Sequence, residues 1–315
     1  MHLARQAAVV CVVFTIAAAW ADGLDKDEAF IGARRNYWAF RPPVRPDVPA
    51  LPSAWVRTPI DAFILEALNG KKLVPSPAAS REKLLRRLYL DVIGLPPSPG
   101  DVRNPASWEQ TVDRLMAMPQ YGERLALKWM DVARYADTNG FELDAERPHA
   151  WRYRDYVVRS FNQDKPYDRF LREQIAGDEL FPGDNEALLA LGFLRAAPRH
   201  VVGGNQDEEM NRQEDLVEMT GSIGATFLGL TVGCARCHNH KFDPILQSDY
   251  YRLQAIFAAT DFKEIDIATK QERQDYETAK KAYEARLKPI TEQIAAIEKP
   301  YRERLRAEKV QRLDA

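Results

Sequence analysis

The chain has 315 residues, enough for one large domain or two smaller ones, and at 45% hydrophobic residues it can build a sizeable core. With 44 basic and 46 acidic residues and a formal charge of −2, it gives no case for nucleic acid or an anionic membrane surface as partner. Three cysteines are too few for a disulfide framework.

The start reads as a targeting segment. Arg5 gives a positive lead, Ala7 to Ala19 is an apolar run, and Ala19-Trp20-Ala21 is a small-x-small cleavage site before Asp22. The run is too short and wrongly flanked for a bilayer span. Residues 1–21 are therefore expected to be a signal peptide, with no membrane span in the mature chain and a periplasmic or cell-surface destination. Cys11 falls in the removed part, which leaves Cys234 and Cys237 as the only thiols of the mature protein.

Residues 22–58 form a proline-rich lead in which Pro42, Pro43, Pro46, Pro49 and Pro52 favour extended backbone. Its aromatic cluster, Tyr37, Trp38 and Phe40, is expected to dock on the domain. A helix opens at Thr58-Pro59, with Thr58 as cap and Pro59 in the first position. Ile60, Phe63, Ile64 and Leu68 follow at helical spacing. A second helix from Ser80 to Val92 stops at Gly94-Leu95-Pro96-Pro97. A third starts near Ser107 and ends before Pro119. A fourth, Gly122 to Tyr135, is expected to bury Leu125, Trp129, Val132 and Ala133.

Residues 138–150 read as a loop. Helices follow near Trp151, over 166–181, over Leu188 to Leu194, from Asp207 to about Thr220, and over Asp249 to Phe257. Strand alternation is not sustained anywhere, so the fold class is all-α: an irregular multi-helix domain over 59–262, then a charged segment over 263–315. In that last segment Tyr283, Leu287, Ile290, Ile294, Ile297, Tyr301 and Leu305 recur at spacings of three and four. That is a narrow coiled-coil seam, interrupted at Pro289 and Pro300. One strand cannot bury it, so its partner is expected to be a helix in a C-terminal continuation, making this chain a truncated product, or a separate protein.

The most definite chemistry lies in Gly233-Cys234-Ala235-Arg236-Cys237-His238-Asn239-His240. Cys-x-x-Cys-His is the attachment pattern of a c-type haem. Two thiols three residues apart reach the vinyl groups on one porphyrin edge, and the next residue supplies the proximal imidazole to the iron. On this reading Cys234 and Cys237 are thioether anchors of haem c and His238 is the iron ligand. Two other readings stay open. Zinc accepts two sulfurs and two nitrogens from Cys234, Cys237, His238 and His240, though four ligands within seven residues close a tetrahedron poorly. The cysteines can also form a tight structural disulfide.

For a distal haem ligand the candidates are Met210, Met219, His200 and His149; a methionine raises the potential and a histidine lowers it. His240, two residues from His238, cannot reach the opposite porphyrin face. It orients the site or meets a propionate, as Arg236 and Lys241 also can. Asp131, Asp137, Glu142 and Asp144 are dense, yet they lack a recognisable catalytic spacing. With no phosphate loop and no nucleophile elbow, the enzyme reading is the weaker one.

Several stretches in order carry a family resemblance. They are Arg86-Arg87-Leu88-Tyr89-Leu90-Asp91, Trp129-Met130-Asp131-Val132-Ala133-Arg134-Tyr135-Ala136-Asp137, Asn162-Gln163-Asp164-Lys165-Pro166-Tyr167-Asp168-Arg169-Phe170 and the run from Phe227 through His238 to Ile245. Over roughly 36–260 the chain resembles the planctomycete-type cytochrome c family. The resemblance implies an exported, helical, haem-associated domain working in electron transfer or as the redox partner of a larger assembly. The alternative is a haem-free scaffold module.

Overall fold

The computed structural model describes residues 26–103, 106–141, 144–199 and 207–313. The expected signal peptide, His200 and Glu142 lie outside those residues. Contacts divide the chain into two units, one ending at Asp261 and one starting at Phe262. Among the described residues there is no strand. The chain is all-α, with a single antiparallel bridge between Thr138 and Glu146.

The helices of the first unit are α1 (Pro59–Gly70), α2 (Arg81–Val92), α3 (Pro99–Arg103), α4 (Trp108–Met116), α5 (Pro119–Ala133), α6 (Trp151–Asn162), α7 (Tyr167–Leu180), α8 (Asn185–Ala190), α9 (Gly192–Arg195), α10 (Glu208–Ile223) and α11 (Gln247–Ile256). The second unit is α12 (Lys270–Leu313).

Local chemistry starts these helices where the residues suggest. At α1 the Asp61 amide donates to Thr58 Oγ1 at 3.4 Å and the Asp61 carboxylate accepts from the Thr58 amide at 2.8 Å. This is a capping box with proline in the first turn. Backbone amides of Arg57 and Thr58 hold the Asp61 carboxyl below its ordinary value. Ser80, Ser107 and Asp207 cap α2, α4 and α10 in the same manner.

The buried stripes are partly rotated from expectation. In α1, Ala62 and Leu65 face inward while Ile60 is 71% exposed and Ile64 50% exposed. In α5 the inward residues are Gly122, Ala126 and Ala133, and Val132 faces solvent. Small residues let α5 and α6 approach closely. A Cβ on Gly122 would stand 2.6 Å from the Val158 carbonyl oxygen. The Gly122 amide donates to Asn162 Oδ1 at 2.9 Å, and Asn162 Nδ2 donates to the Pro119 carbonyl at 3.0 Å, which seals that end of the pair.

Tyr156, Val157, Phe193, Leu115 and Met219 fill the interior. Buried polar atoms around Gln174 are paired, while Gln120 Oε1, Arg124 Nε and Arg134 Nε are buried without a hydrogen-bond partner. Trp129 Nε1 donates to Gln174 Oε1 at 3.0 Å, and Tyr153 Oη donates to the same oxygen at 2.7 Å.

The lead segment does not sink its aromatic cluster into the domain. Tyr37, Trp38 and Phe40 stack on one another, with centroid separations of 5.7 and 6.4 Å, and Trp38 stays 75% exposed. The segment instead reaches the later chain through Arg34, which donates to the Lys241 carbonyl at 3.3 Å.

α12 runs unbroken through Pro289 and Pro300, where the seam was expected to be interrupted. Each proline removes the donor that would serve the carbonyl four residues earlier, at Ala285 and Ala296. Every described side chain of the helix is exposed. No helix among the described residues is long and apolar enough to cross a membrane.

Candidate functional site

α10 leads into the Cys-x-x-Cys-His stretch through a π-helical turn, Gly224–Leu228, which ends at Gly229 in the left-handed region (φ 64°). The reversal needs no side chain at Gly224, since a Cβ there would lie 2.2 Å from Val232 Cγ2. A 3-10 helix, Val232–Arg236, follows directly. In a 3-10 helix residues three apart share an edge. Val232 and Ala235 form the inner edge and pack with Ile245 and Tyr250. The same spacing sets Cys234 and Cys237 outward. Both are exposed, unpaired thiols.

His238 is exposed as well, and its Nδ1 lies 2.7 Å from the Asn239 carbonyl oxygen. A carbonyl can only accept, so Nδ1 carries the proton, and Nε2 is the nitrogen not engaged by the chain. That is the tautomer in which a histidine binds a metal, with the second nitrogen held by a backbone carbonyl. A porphyrin brings four nitrogens of its own, so one such imidazole and two outward thiols on one edge form a donor set that fits haem c. Cys234 and Cys237 would hold the macrocycle and His238 the iron.

His240 has a different place. It is 4% exposed, and its Nδ1 accepts the amides of Phe242 (3.2 Å) and Asp243 (2.8 Å). Its Nε2–H therefore donates to Thr231 Oγ1 at 3.0 Å. Asp243 Oδ2 also stands 3.5 Å from Nδ1, but two amide donors at that nitrogen leave no proton there for an ion pair. Both nitrogens serve the loop, so His240 orients the site and is not free to ligate. Among the described residues no three His, Cys, Asp or Glu side chains gather as a group able to hold a metal ion.

The remaining loop is pinned by α11. The Arg236 carbonyl accepts Tyr251 Oη and Gln247 Nε2, each at 3.0 Å, and Asn239 Oδ1 accepts the Gln247 amide at 2.9 Å.

Of the distal candidates, Met219 is 2% exposed in the core, Met210 is 63% exposed on the first turn of α10, and His149 is exposed in the 138–150 loop. Among the described residues, Asp131, Asp137 and Asp144 do not gather into one group. Asp137 accepts Tyr135 Oη at 2.6 Å, and Asp144 Oδ1 accepts the Gly140 amide at 3.1 Å. Burial, joined by Asp137, pushes the Tyr135 hydroxyl up to about 12.

One feature was not anticipated from the sequence. A cavity of about 280 Å³ opens beside the Cys-x-x-Cys-His turn, lined among others by Phe141, Arg199, Asn211, Asp215, Glu218 and Arg236. Arg199 pairs with Asp215 at 3.1 Å and Arg134 pairs with Glu218. Burial raises the Asp215 carboxyl despite Arg199. The helical spacing of Asn211, Asp215 and Glu218 marks one face of α10 in the sequence, but which loops close over that face is a tertiary matter.

A family model described as PSCyt2, protein of unknown function (DUF1549), matches residues 59–262. No curated protein and no solved structure matches the chain. The resemblance to the planctomycete-type cytochrome c family is thereby overturned, because the family that matches is one of unknown function and not a cytochrome family. The stretches that suggested the resemblance do structural work here. Asn162 caps α5, Trp129 and Phe170 pack edge to face at 4.8 Å, and Asp137 holds Tyr135. The haem reading therefore rests on Cys234, Cys237 and His238, in the run from Phe227 to Ile245, and not on the other stretches.

Proposed function

The chain belongs to the PSCyt2 family of unknown function, and on that footing we propose that it is an exported c-type haem-binding protein serving electron transfer, as the redox partner of a larger assembly. One observation carries this reading: Cys234 and Cys237 are exposed, unpaired thiols next to an exposed His238 whose Nδ1 is held by the Asn239 carbonyl. Export is supported by the amino-terminal residues Arg5 and Ala7 to Ala21, and it agrees with haem attachment, which takes place outside the cytoplasm in bacteria.

When bound, a c-type haem supplies one-electron chemistry. The chain's own residues hold the attachment edge rigid through Val232 and Ala235, fix the His238 ring through the Asn239 carbonyl, and pin the loop through His240. Cys234→Ala combined with Cys237→Ala is expected to abolish covalent haem while leaving helical content unchanged, since neither side chain is in the core. Covalent haem that persists in the double variant refutes the assignment.

A second reading is favoured by α12. Tyr283, Ile290, Ile294, Ile297 and Tyr301 are each about half or more exposed along one seam. In that reading the protein is a haem-free scaffold that presents this seam to a partner helix. A strictly monomeric chain that loads haem in full argues against it.

A further inference from the structure

The cavity beside the Cys-x-x-Cys-His turn holds three carboxylates and two guanidiniums among its lining side chains. Most of that charge is already spent internally. Asp215 is paired with Arg199, Glu218 with Arg134, and Glu214 is engaged as well. Two lining side chains differ. The Arg236 guanidinium and the Asn211 carboxamide make no hydrogen bond or ion pair among the described residues, although both line this open cavity, Arg236 from its exposed rim. Arginine offers five N–H donors in a planar fork and asparagine two more, so the unmet capacity here is cationic and mainly donating. The group that answers it best is a carboxylate, which accepts from a guanidinium through two parallel hydrogen bonds.

Two residues at or next to the cavity hold left-handed backbone. Phe141, which lines the cavity, adopts φ 57°, while Arg134, which neutralises Glu218, adopts φ 58°. Left-handed backbone at a phenylalanine is rare, and such strain concentrates at binding sites. At about 280 Å³ the space sits near the lower end of small-molecule sites.

We propose that this cavity is a carboxylate-binding site, with Arg236 as the anchoring cation and Asn211 as a second donor. Arg236 stands between Cys234 and Cys237, so the carboxylate has two possible sources. One is a propionate of a haem attached at those cysteines, an arm that rests on the function proposed above. The other is a separate small organic acid, which needs no haem.

The test uses the full chain carrying Cys234→Ala and Cys237→Ala, titrated calorimetrically with succinate and, as the uncharged counterpart, succinamide. Saturable binding of succinate alone is expected, weakened roughly ten-fold or more when Arg236→Gln is added, as loss of a charge-assisted hydrogen bond predicts. Should the double variant not fold, the unmodified chain made without haem maturation takes its place. The same titration on haem-loaded chain separates the sources: succinate binding retained assigns the site to a free acid, and binding lost assigns it to a propionate. Absence of saturable, Arg236-dependent succinate binding in the haem-free chain overturns the proposal. That first titration needs no haem, so it decides even where the haem reading fails.

Discussion

Glu173 is 1% exposed and yet ionised, which only a full set of donors permits. Tyr156 Oη and Lys165 Nζ each donate to it at 2.6 Å, and Arg169 joins from one helical turn away. Burial alone would raise this carboxyl. The hydrogen bonds from Lys165, Tyr156 and Arg169 outweigh it and hold the group below the ordinary glutamate value of 4.5. A depressed folded-state value means that its stabilising contribution is complete above about that pH and is lost as pH falls through the folded value. Urea midpoints measured from pH 7 downward should therefore decline at acid pH, and less steeply in Glu173→Gln. Glu173→Ala, which strands Lys165 beside an emptied core site, is expected to cost on the order of 3 kcal/mol at neutral pH. A loss below about 0.5 kcal/mol would show that the cluster is not a stabilising one. Nothing in the sequence separates Glu173 from the other acids near it. Its burial depends on α6 packing over α7.

The starts of the helices were legible because capping is local. Thr58, Ser80, Ser107 and Asp207 act within three residues of themselves, and each caps where the residues place it. Thr58→Ala should cost about 1 kcal/mol in equilibrium unfolding, whereas the exposed Ile60→Ala should cost far less. The buried faces were less legible. Periodicity gives the spacing of an apolar stripe but not which of two neighbouring stripes turns inward. Ile60, Ile64 and Val132 lie outside because Ala62, Ala126 and Ala133 permit closer helix contact. In the Cys-x-x-Cys-His stretch the residue types were plain, while the outward edge was set by the 3-10 turn and by the bare Cα of Gly224. Gly224→Ala places a methyl 2.2 Å from Val232 Cγ2. It should destabilise by roughly 1–3 kcal/mol and lower the yield of covalent haem, read by haem stain per folded protein. Full yield in a folded Gly224→Ala variant would show that the turn's geometry is not needed for attachment.

At the scale of the whole molecule, the buried clusters around Leu85 and Val232 lie in the first unit, and in the helix of the second unit, α12, every described side chain is exposed. A chain ending at Asp261 should consequently unfold at the same temperature as the full chain, within a degree or two, because α12 adds no buried surface of its own. A large fall in Tm would show that α12 is covered in solution. The all-α class could be read from the sequence because strand alternation never persists. The family was not read correctly: the ordered stretches from Arg86 to Ile245 suggested a cytochrome family, and the family that matches residues 59–262 is one of unknown function. The account as a whole stands on that pattern, and it is tested most directly by producing the exported chain in a host with c-type maturation. The readouts are a denaturing gel stained for haem peroxidase activity and a reduced-minus-oxidised visible spectrum. The predicted result is a stained band with a sharp α-band, both lost with Cys234→Ala and Cys237→Ala. A folded chain that carries no stain would contradict it.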